Sequence, residues 1–385
     1  MKILTQIIQT AKEESKKYFQ KRCQKKIERF EKTRLREKCN SCPGCKERHG
    51  YIRRGKRKRR LRTSMGEVIF QIQQIECKNC NRVYRPLIEL LELKPKQIIT
   101  EELLDKSIEV AIHTSYKTAS QLTKSLTGES ISGRKIQKGV LRKSEEIRQY
   151  KANEPPKEYK VILEDSTKGN TGKTKRGEDI NVVYGITGRK RIVNAETGEI
   201  KRQLFIGDIL SVTVGSQWGA GIQHTTGNVI TDGAEAIQKK IRYQKNGQSV
   251  LFHRCNWHLS RMLGFSLYND GLKTKKQRNP FVSKLALIIK HSFKNYKRYY
   301  KELIAELKGK EYFKSVKYLE NAEQEFYNTK EKPAMIDGIP LLANSPIERV
   351  MREIDRRVDI GVRWSRKGLE AITRVRLDHI YINNI

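Results

Sequence analysis

GNVITDGAEAIQKKIRYQKNGQSVLFHRCNWHLSRML, residues Gly227–Leu263, sets two short apolar runs on either side of a helical pattern. A short apolar run, Asn228 to Thr231, stops at Asp232-Gly233. A helical pattern follows from Ala234 to about Tyr243, then a polar turn, Lys245-Asn246-Gly247-Gln248. A second apolar run, Ser249 to His253, leads into Cys255-Asn256-Trp257-His258, which opens another helix. Strand, carboxylate, helix, strand is the pattern of a buried α/β unit. It sets Asp232 at the carboxyl end of a strand, where open α/β sheets hold their chemistry. An Asp in that place also serves as an ordinary helix N-cap, so the rest of the chain has to decide its role.

Upstream, Lys151–Lys157 (KANEPPK) is a Pro-containing linker and marks a domain boundary. Strand patterns begin beyond it: Tyr159 to Asp165, Ile180 to Thr187, and a third within Leu204 to Val214. Asp165 closes the first of these strands, so Asp165 and Asp232 meet at one sheet edge if their strands are neighbours. Two like charges in a partly dry site are costly unless a cation lies between them. Mg²⁺ (or Mn²⁺) suits such a pair, because it binds through one or two carboxylates plus substrate phosphates. Two ions about 4 Å apart can activate a water or a 3′-hydroxyl and stabilise the leaving oxygen of a phosphoryl displacement. Glu348 is the candidate third carboxylate. Ser345-Pro346-Ile347-Glu348 also fits a capping box with Pro at its first helical position. Glu164 stands beside Asp165, and strand alternation sends one of the two to the wrong face. Asp179 and Asp208 read as turn or strand-edge residues.

Composition narrows the partner. The formal net charge is +37, from 80 Lys+Arg against 43 Asp+Glu, across 385 residues. A field of this size implies a polyanion, and nucleic acid is favoured over an anionic membrane surface. No apolar run reaches the ~18 residues of a membrane-spanning helix, and the N-terminus lacks the pattern of a secretory signal. Seven cysteines with two CxxC pairs suit a metal site in a reducing compartment better than a disulfide framework.

Those pairs define a separate module. Cys42-Pro-Gly-Cys45 and Cys77-Lys-Asn-Cys80 are two tight knuckles with 31 residues between them, enough to hold one tetrahedral structural Zn²⁺. Cys39 is an alternative in the first knuckle, with Pro43-Gly44 favouring Cys42 and Cys45. Strands Tyr51 to Thr63 and Val68 to Glu76 complete a zinc ribbon. Eight of the ten residues from Arg53 to Arg62 are Lys or Arg, so Arg53, Arg54, Lys56, Arg57, Lys58, Arg59 and Arg60 are candidate phosphate contacts. Before the ribbon, residues 1–38 read as a basic helical arm, a solvated or dimerising helix. After it, residues 95–150 are helical: Thr100 to Ile112, Ser115 to Leu126, a Gly128 turn, then a basic helix from Ser130. That is a helix-turn-helix-like pattern with Arg134, Lys135 and Lys138 toward DNA.

Beyond Leu263 the chain is basic and helical from Leu272 to about Asn328, with Lys and Arg interleaved among Tyr296, Tyr299, Tyr300 and Tyr312. The order Asp165, Asp232 in VITDGA, Cys255-x-x-His258, then Glu348 in SPIERVMREIDRRV followed by RWSRKG resembles the Mutator-like superfamily of DDE insertion-sequence transposases. The resemblance runs from Cys42 to about Leu369, and segment 216–227 departs from it in being short and Gly-rich. It implies a multidomain α/β chain: ribbon (39–94), helix-turn-helix-like domain (95–150) and an RNase H-like catalytic core (158–385) with a helical insertion about 266–340. It implies catalytic, metal-holding Asp165, Asp232 and Glu348, selects Asp165 over Glu164, and gives Cys255 and His258 a supporting place. Arg349, Arg352 and Arg363 become further phosphate contacts, while Trp257 and Trp364 read as core residues, with base stacking as the alternative. The expected function is transposition: binding terminal inverted repeats in double-stranded DNA, then metal-dependent cleavage and strand transfer. The expected chain is a homodimer or higher oligomer, cytoplasmic and nucleoid-associated. The competing readings are an RNase H-like structure-specific nuclease or resolvase, and a zinc-ribbon regulator with no enzymatic activity.

Overall fold

The structure, a computed structural model, describes residues 2–36, 42–46, 50–155, 157–172, 177–194, 196–215, 227–233, 250–290, 294–360 and 363–382. Cys39, the segment 216–226 and the helix expected over 234–243 lie outside them. The chain divides into two compact units, Met1–Val140 and Leu141–Ile385. The division falls inside a helix that runs to Asn153, so the start of the KANEPPK stretch is helical.

In the first unit, helix α1 (Lys2–Arg36) precedes an antiparallel three-strand sheet of β1 (Tyr51–Thr63), β2 (Gly66–Cys77) and β3 (Val83–Tyr84). The period-2 pattern of β2 buries Val68, Phe70 and Ile72 against Leu61 and Leu87. Phe19, Cys23 and Ile27 of α1 pack on that cluster, and Glu31 accepts the Gln73 backbone N–H at 2.9 Å. The long helix is thus anchored by its second half, while Ile3, Leu4 and Ile7 stay exposed. A one-turn helix α2 (Pro86–Leu90) closes the ribbon. Three helices follow: α3 (Glu101–Ala111), α4 (Tyr116–Thr127) and α5 (Gly133–Asn153). Thr100 and Ser115 cap α3 and α4 through their hydroxyls. Gly128 ends α4 at φ 78°, the left-handed conformation that glycine adopts without cost. The backbone of Arg62 at the end of β1 pairs with Ile98 and Thr100, so ribbon and helices share one unit.

The second unit is a mixed α/β fold around a five-strand sheet in the order β6-β5-β4-β7-β8. These are β4 (Val161–Gly169), β5 (Glu178–Val193), β6 (Ile200–Val214), β7 (Asn228–Thr231) and β8 (Leu251–Arg254). The first three form an antiparallel meander, and β7 and β8 join β4 in parallel. Ile162 packs with Tyr159, Val183, Val229 and Phe252 on one face, so Val161, Leu163 and Asp165 belong to the other. Four helices follow β8: α6 (Asn256–Asn269), α7 (Lys275–Lys290), α8 (Tyr296–Gly309) and α9 (Phe313–Glu331). They build their own core from Leu259, Leu263, Leu285, Leu303, Leu319 and Phe326. Tyr300 is fully buried there, stacked 5.0 Å from Phe326, so it supports the fold and is closed to DNA. A small hairpin, β9 (Ala334–Ile336) and β10 (Ile339–Leu341), precedes α10 (Ser345–Val358), which packs on β4, and α11 (Arg366–Ile382), which packs on β6. No helix among the described residues is long and apolar enough to cross a membrane.

Candidate functional sites

The parallel β4–β7 pair has the register Leu163↔Ile230, with Asp232 just past the end of β7 and Asp165 inside β4, which runs on to Gly169 instead of closing at Asp165 as the sequence suggests. Asp165 is 8% exposed and its Oδ1 accepts the Ser166 backbone N–H at 2.8 Å. Its carboxyl is pushed up from 3.8 to about 7: burial does most of this, the Asp232 and Glu348 carboxylates add to it, and Arg261 opposes it. Glu348 reaches the site because α10 is fixed to β4 on both sides of it. Asn344 Nδ2 donates to the Glu164 carbonyl at 3.5 Å, and Thr167 Oγ1 donates to Asp355 Oδ1 at 2.6 Å. One helical turn past Asn344 lies Glu348. The helix starts at Ser345 with Asn344 as N-cap and no side-chain cap bond, so Glu348 is not engaged in a capping box.

The other acids stand elsewhere. Glu164 is fully buried on the opposite face of β4 from Asp165. Asp179 pairs with Lys168 across β4–β5 at 2.8 Å, and Asp208 accepts from the Tyr159 hydroxyl at 2.9 Å.

Asp232 is held by a residue that sequence patterns did not single out. Arg254, at the end of β8 and 3% exposed, donates from Nη1 to the Asp232 carbonyl at 2.5 Å and pairs with Glu325 of α9 at 2.9 Å. The guanidinium fills the space beside Gly233, where a Cβ would stand 1.2 Å from Nη1, and Gly233 itself has φ 92°. Gly233 is therefore required twice over, for backbone conformation and for room. The one available signal for Arg254 was a cation ending an otherwise apolar run, matched by Glu325 among Ala322, Phe326 and Tyr327 on the buried face of α9.

Cys255 is fully buried, and its Sγ accepts the Asn344 backbone N–H at 3.2 Å. It thereby joins the start of α6 to the start of α10 and so bears on the placing of Glu348. Burial pushes its thiol up, away from the thiolate that binds metal. Burial also lowers His258, against the pull of the Asp232 and Glu348 carboxylates near it. Trp364 is buried under the Arg357 guanidinium, which sits 4.6 Å from its ring centroid. Trp257 is 47% exposed, contrary to the expectation of a core residue. The inner face of α6 is already taken by Leu259, Leu263 and Leu267, which leaves Trp257 on the outer side.

In the first unit, the thiols of Cys42, Cys45, Cys77 and Cys80 lie within 4.8 Å of one another. Cys42 and Cys80 are 3.4 Å apart, and Cys45 and Cys77 are 3.8 Å apart. Four sulfurs at about 2.3 Å from a central Zn²⁺ are separated by roughly 3.8 Å, so the cluster fits the ion. Burial raises the Cys42 thiol, but the Cys45 and Gly44 backbone N–H groups and the neighbouring thiols outweigh it and bring it down to about 6. Among the described residues no other group of three or more His, Cys, Asp and Glu draws its ligand atoms this close. Asp165, Asp232 and Glu348 are not drawn together in that way.

Along β1, Arg53, Arg54, Lys56, Arg57, Lys58 and Arg60 are exposed. Arg54 and Arg60 pair with Glu76 and Glu67, and Arg59 donates to the Gln97 carbonyl at 2.8 Å. Exposed pairs of this kind are worth little and open easily to a phosphate, whereas Arg59 is tied into the fold. Arg134, Lys135 and Lys138 are exposed at the start of α5, and Arg349, Arg352 and Arg363 are exposed in the second unit.

Comparison with known proteins adds little. No protein-family model and no curated protein matches the chain. Among solved structures, it is similar to the Drosophila P element transposase strand transfer complex. That likeness has a TM-score of 0.27 and 9% sequence identity, covering 77% of this chain and 83% of that one. At this score it carries no argument.

The raised Asp165 carboxyl has a measurable consequence. Between about pH 4 and 7 the folded chain keeps a proton that the unfolded chain has released, so stability present at low pH is lost as pH rises through that window. A tenfold change in proton affinity is about 1.4 kcal/mol, which makes the loss roughly 4 kcal/mol. With no added divalent cation, the melting temperature of wild type relative to Asp165→Asn should fall as pH rises through this window. Mg²⁺ should restore stability at pH 8 more than at pH 5 in wild type. A difference between wild type and Asp165→Asn that does not change across the window would contradict this prediction.

Proposed function

We propose that this chain is a DDE-type DNA transposase of the Mutator-like kind, with an RNase H-like sheet as its catalytic core. The observation that carries the proposal is that Asp165 on β4 is buried where the charges of Asp232, after β7, and of Glu348, on α10, act on it, three carboxylates far apart in sequence. A catalytic role explains why a buried carboxylate is set where the charges of two others act on it. Divalent cations bound there would supply charge for activating water or a 3′-hydroxyl and for stabilising the leaving oxygen.

Each group of residues then has a task. Asp165, Asp232 and Glu348 hold Mg²⁺ or Mn²⁺. Arg254 and Cys255 set the backbones on which Asp232 and Glu348 stand, and His258 lies beside both carboxylates. Arg349, Arg352 and Arg363 take phosphates near the core. The four-cysteine ribbon holds Zn²⁺, its β1 cations track the DNA backbone, and Arg134 and Lys135 enter the groove at the element ends. Two ends must be joined at once, which calls for a homodimer or larger assembly.

The test is an end-joining assay. The purified chain is incubated with Mg²⁺ and a donor DNA bearing the inverted repeats that flank its own gene, and the products are resolved by length and sequence. Strand-transfer products support the transposase. Cleavage without joining replaces it with a structure-specific nuclease, and binding without cleavage replaces it with a ribbon regulator.

A further inference from the structure

Helix α6 carries Cys255 and His258 at its start, and its two long faces differ in kind. Leu259, Leu263 and Leu267 are fully buried in the helical core. On the other side Trp257, Arg261, Phe265 and Tyr268 follow one another at spacings of four, four and three residues, which places them on a single stripe. The stripe is about 16 Å long at ~1.5 Å per residue. Trp257, Phe265 and Tyr268 are 47%, 52% and 45% exposed.

Cations cover these rings. The Arg261 guanidinium stands 4.8 Å from the Trp257 centroid and 5.8 Å from that of Phe265. Lys273 Nζ and the Arg278 guanidinium stand 4.2 and 5.4 Å from Tyr268. Arg261 stands between Trp257 and Phe265 along the stripe, and Lys273 and Arg278 flank Tyr268, so cations accompany the exposed rings, which is the make-up of a surface for a polyanion that also offers flat apolar faces. The stripe begins at the carboxylate site: the Trp257 ring meets His258 edge-on at 4.7 Å, and the Arg261 charge reaches Asp165.

We infer that the outer face of α6 is a track for single-stranded DNA leading away from the carboxylates. Bases stack on Trp257, Phe265 and Tyr268, and Arg261, Lys273 and Arg278 neutralise the phosphates between them. Single strands are selected because only an unpaired base offers its π-face to a ring, whereas a duplex hides those faces in its stack. At ~3.4 Å per stacked nucleotide, the stripe accommodates about five nucleotides. The inference rests on the carboxylate site being one that processes DNA.

The test uses the full-length, zinc-loaded chain with no other divalent cation, so that cleavage plays no part. Fluorescence anisotropy measures binding of a labelled short oligothymidylate and of a duplex of equal length, and tryptophan emission is followed in parallel. The expected result is that Trp257→Ala and Phe265→Ala each weaken oligothymidylate binding about tenfold, with duplex binding little changed. Arg261→Ala should lower the salt dependence for the single strand by roughly 0.7 in log–log slope. Trp257→Phe should remove the quench that the oligothymidylate causes in wild type. All of these side chains are exposed, so the variants should melt as wild type does. Unchanged single-strand affinity, a retained quench in Trp257→Phe, or equal losses for duplex and single strand would each overturn the track. Asp165→Asn separates the two proposals. If it has no cleavage to lose while the stripe variants still lose oligothymidylate binding, the track stands and the transposase reading falls. The reverse pattern leaves the transposase and removes the track.

Discussion

Asp165→Asn should abolish Mg²⁺-dependent cleavage and joining, a loss on the order of 10³-fold or more, while leaving DNA binding intact. The substitution keeps the shape of the side chain and can keep the Ser166 N–H bond to Oδ1. What it removes is the negative charge in a place where charge is expensive. Burial and the carboxylates of Asp232 and Glu348 already push the Asp165 carboxyl up to about 7. In the proposed function that charge is used to hold a cation. Neutralising Asp165 relieves its two neighbours, so the variant should melt higher than wild type at pH 8 in the absence of Mg²⁺ and gain less when Mg²⁺ is added. Activity lost together with stability would instead indicate a broken fold, and cleavage retained at the wild-type rate would remove Asp165 from the chemistry.

The second large effect concerns the ribbon. Stripping Zn²⁺ or substituting Cys77→Ser should unfold the knuckle end of the first unit and reduce binding of duplex DNA many-fold. A four-thiolate site contributes about 10–16 kcal/mol of folding free energy in small zinc domains. The apolar support here is modest: Leu61, Val68, Phe70, Ile72 and Leu87, covered on one side by Phe19, Cys23 and Ile27. Without the metal, Cys42 and Cys77 would be left as buried thiols holding together two turns that have little else in common. The β1 cations would then lose the fixed spacing that lets them follow a phosphate backbone. Hydrogen exchange over β1 and β2 reports the unfolding directly, and zinc content by elemental analysis should be one ion per chain. A chain that contains no zinc, or whose exchange in β1 and β2 is unaffected by a chelator, would contradict the assignment.

Local pattern carried much of this architecture. The runs at Asn228–Thr231 and near Leu251–Arg254 are strands, β1 spans Tyr51–Thr63 as its composition predicts, and helices begin at Asn256 and Ser345. These elements announce themselves because each has one buried face and a marked end. Non-local pairings were less legible. Nothing in the residues around Asp165 says that β4 pairs with β7 and not with β8, since sheet order is set by packing over the whole unit. Arg254 was hidden for a related reason: a buried cation looks like the end of a strand until its partner Glu325, some seventy residues on, is brought beside it. Asn344 was passed over because its importance lies in two contacts, to Cys255 and to Glu164, that only the fold creates. Trp257 was misplaced because residue type favours the core, whereas helix phase relative to Leu259 and Leu263 sets it outside. That phase was available in the sequence, and it exposed the stripe on α6.

The account depends most on what Asp165, Asp232 and Glu348 hold. The most direct measurement is the binding of Mn²⁺ to the zinc-loaded chain, followed by anomalous X-ray scattering from crystals grown with it. The account predicts two manganese ions about 4 Å apart among the three carboxylates, with zinc at the four cysteines, and loss of both manganese ions in Asp165→Asn. Manganese found only at other acids, or no manganese at saturating concentration, would contradict it.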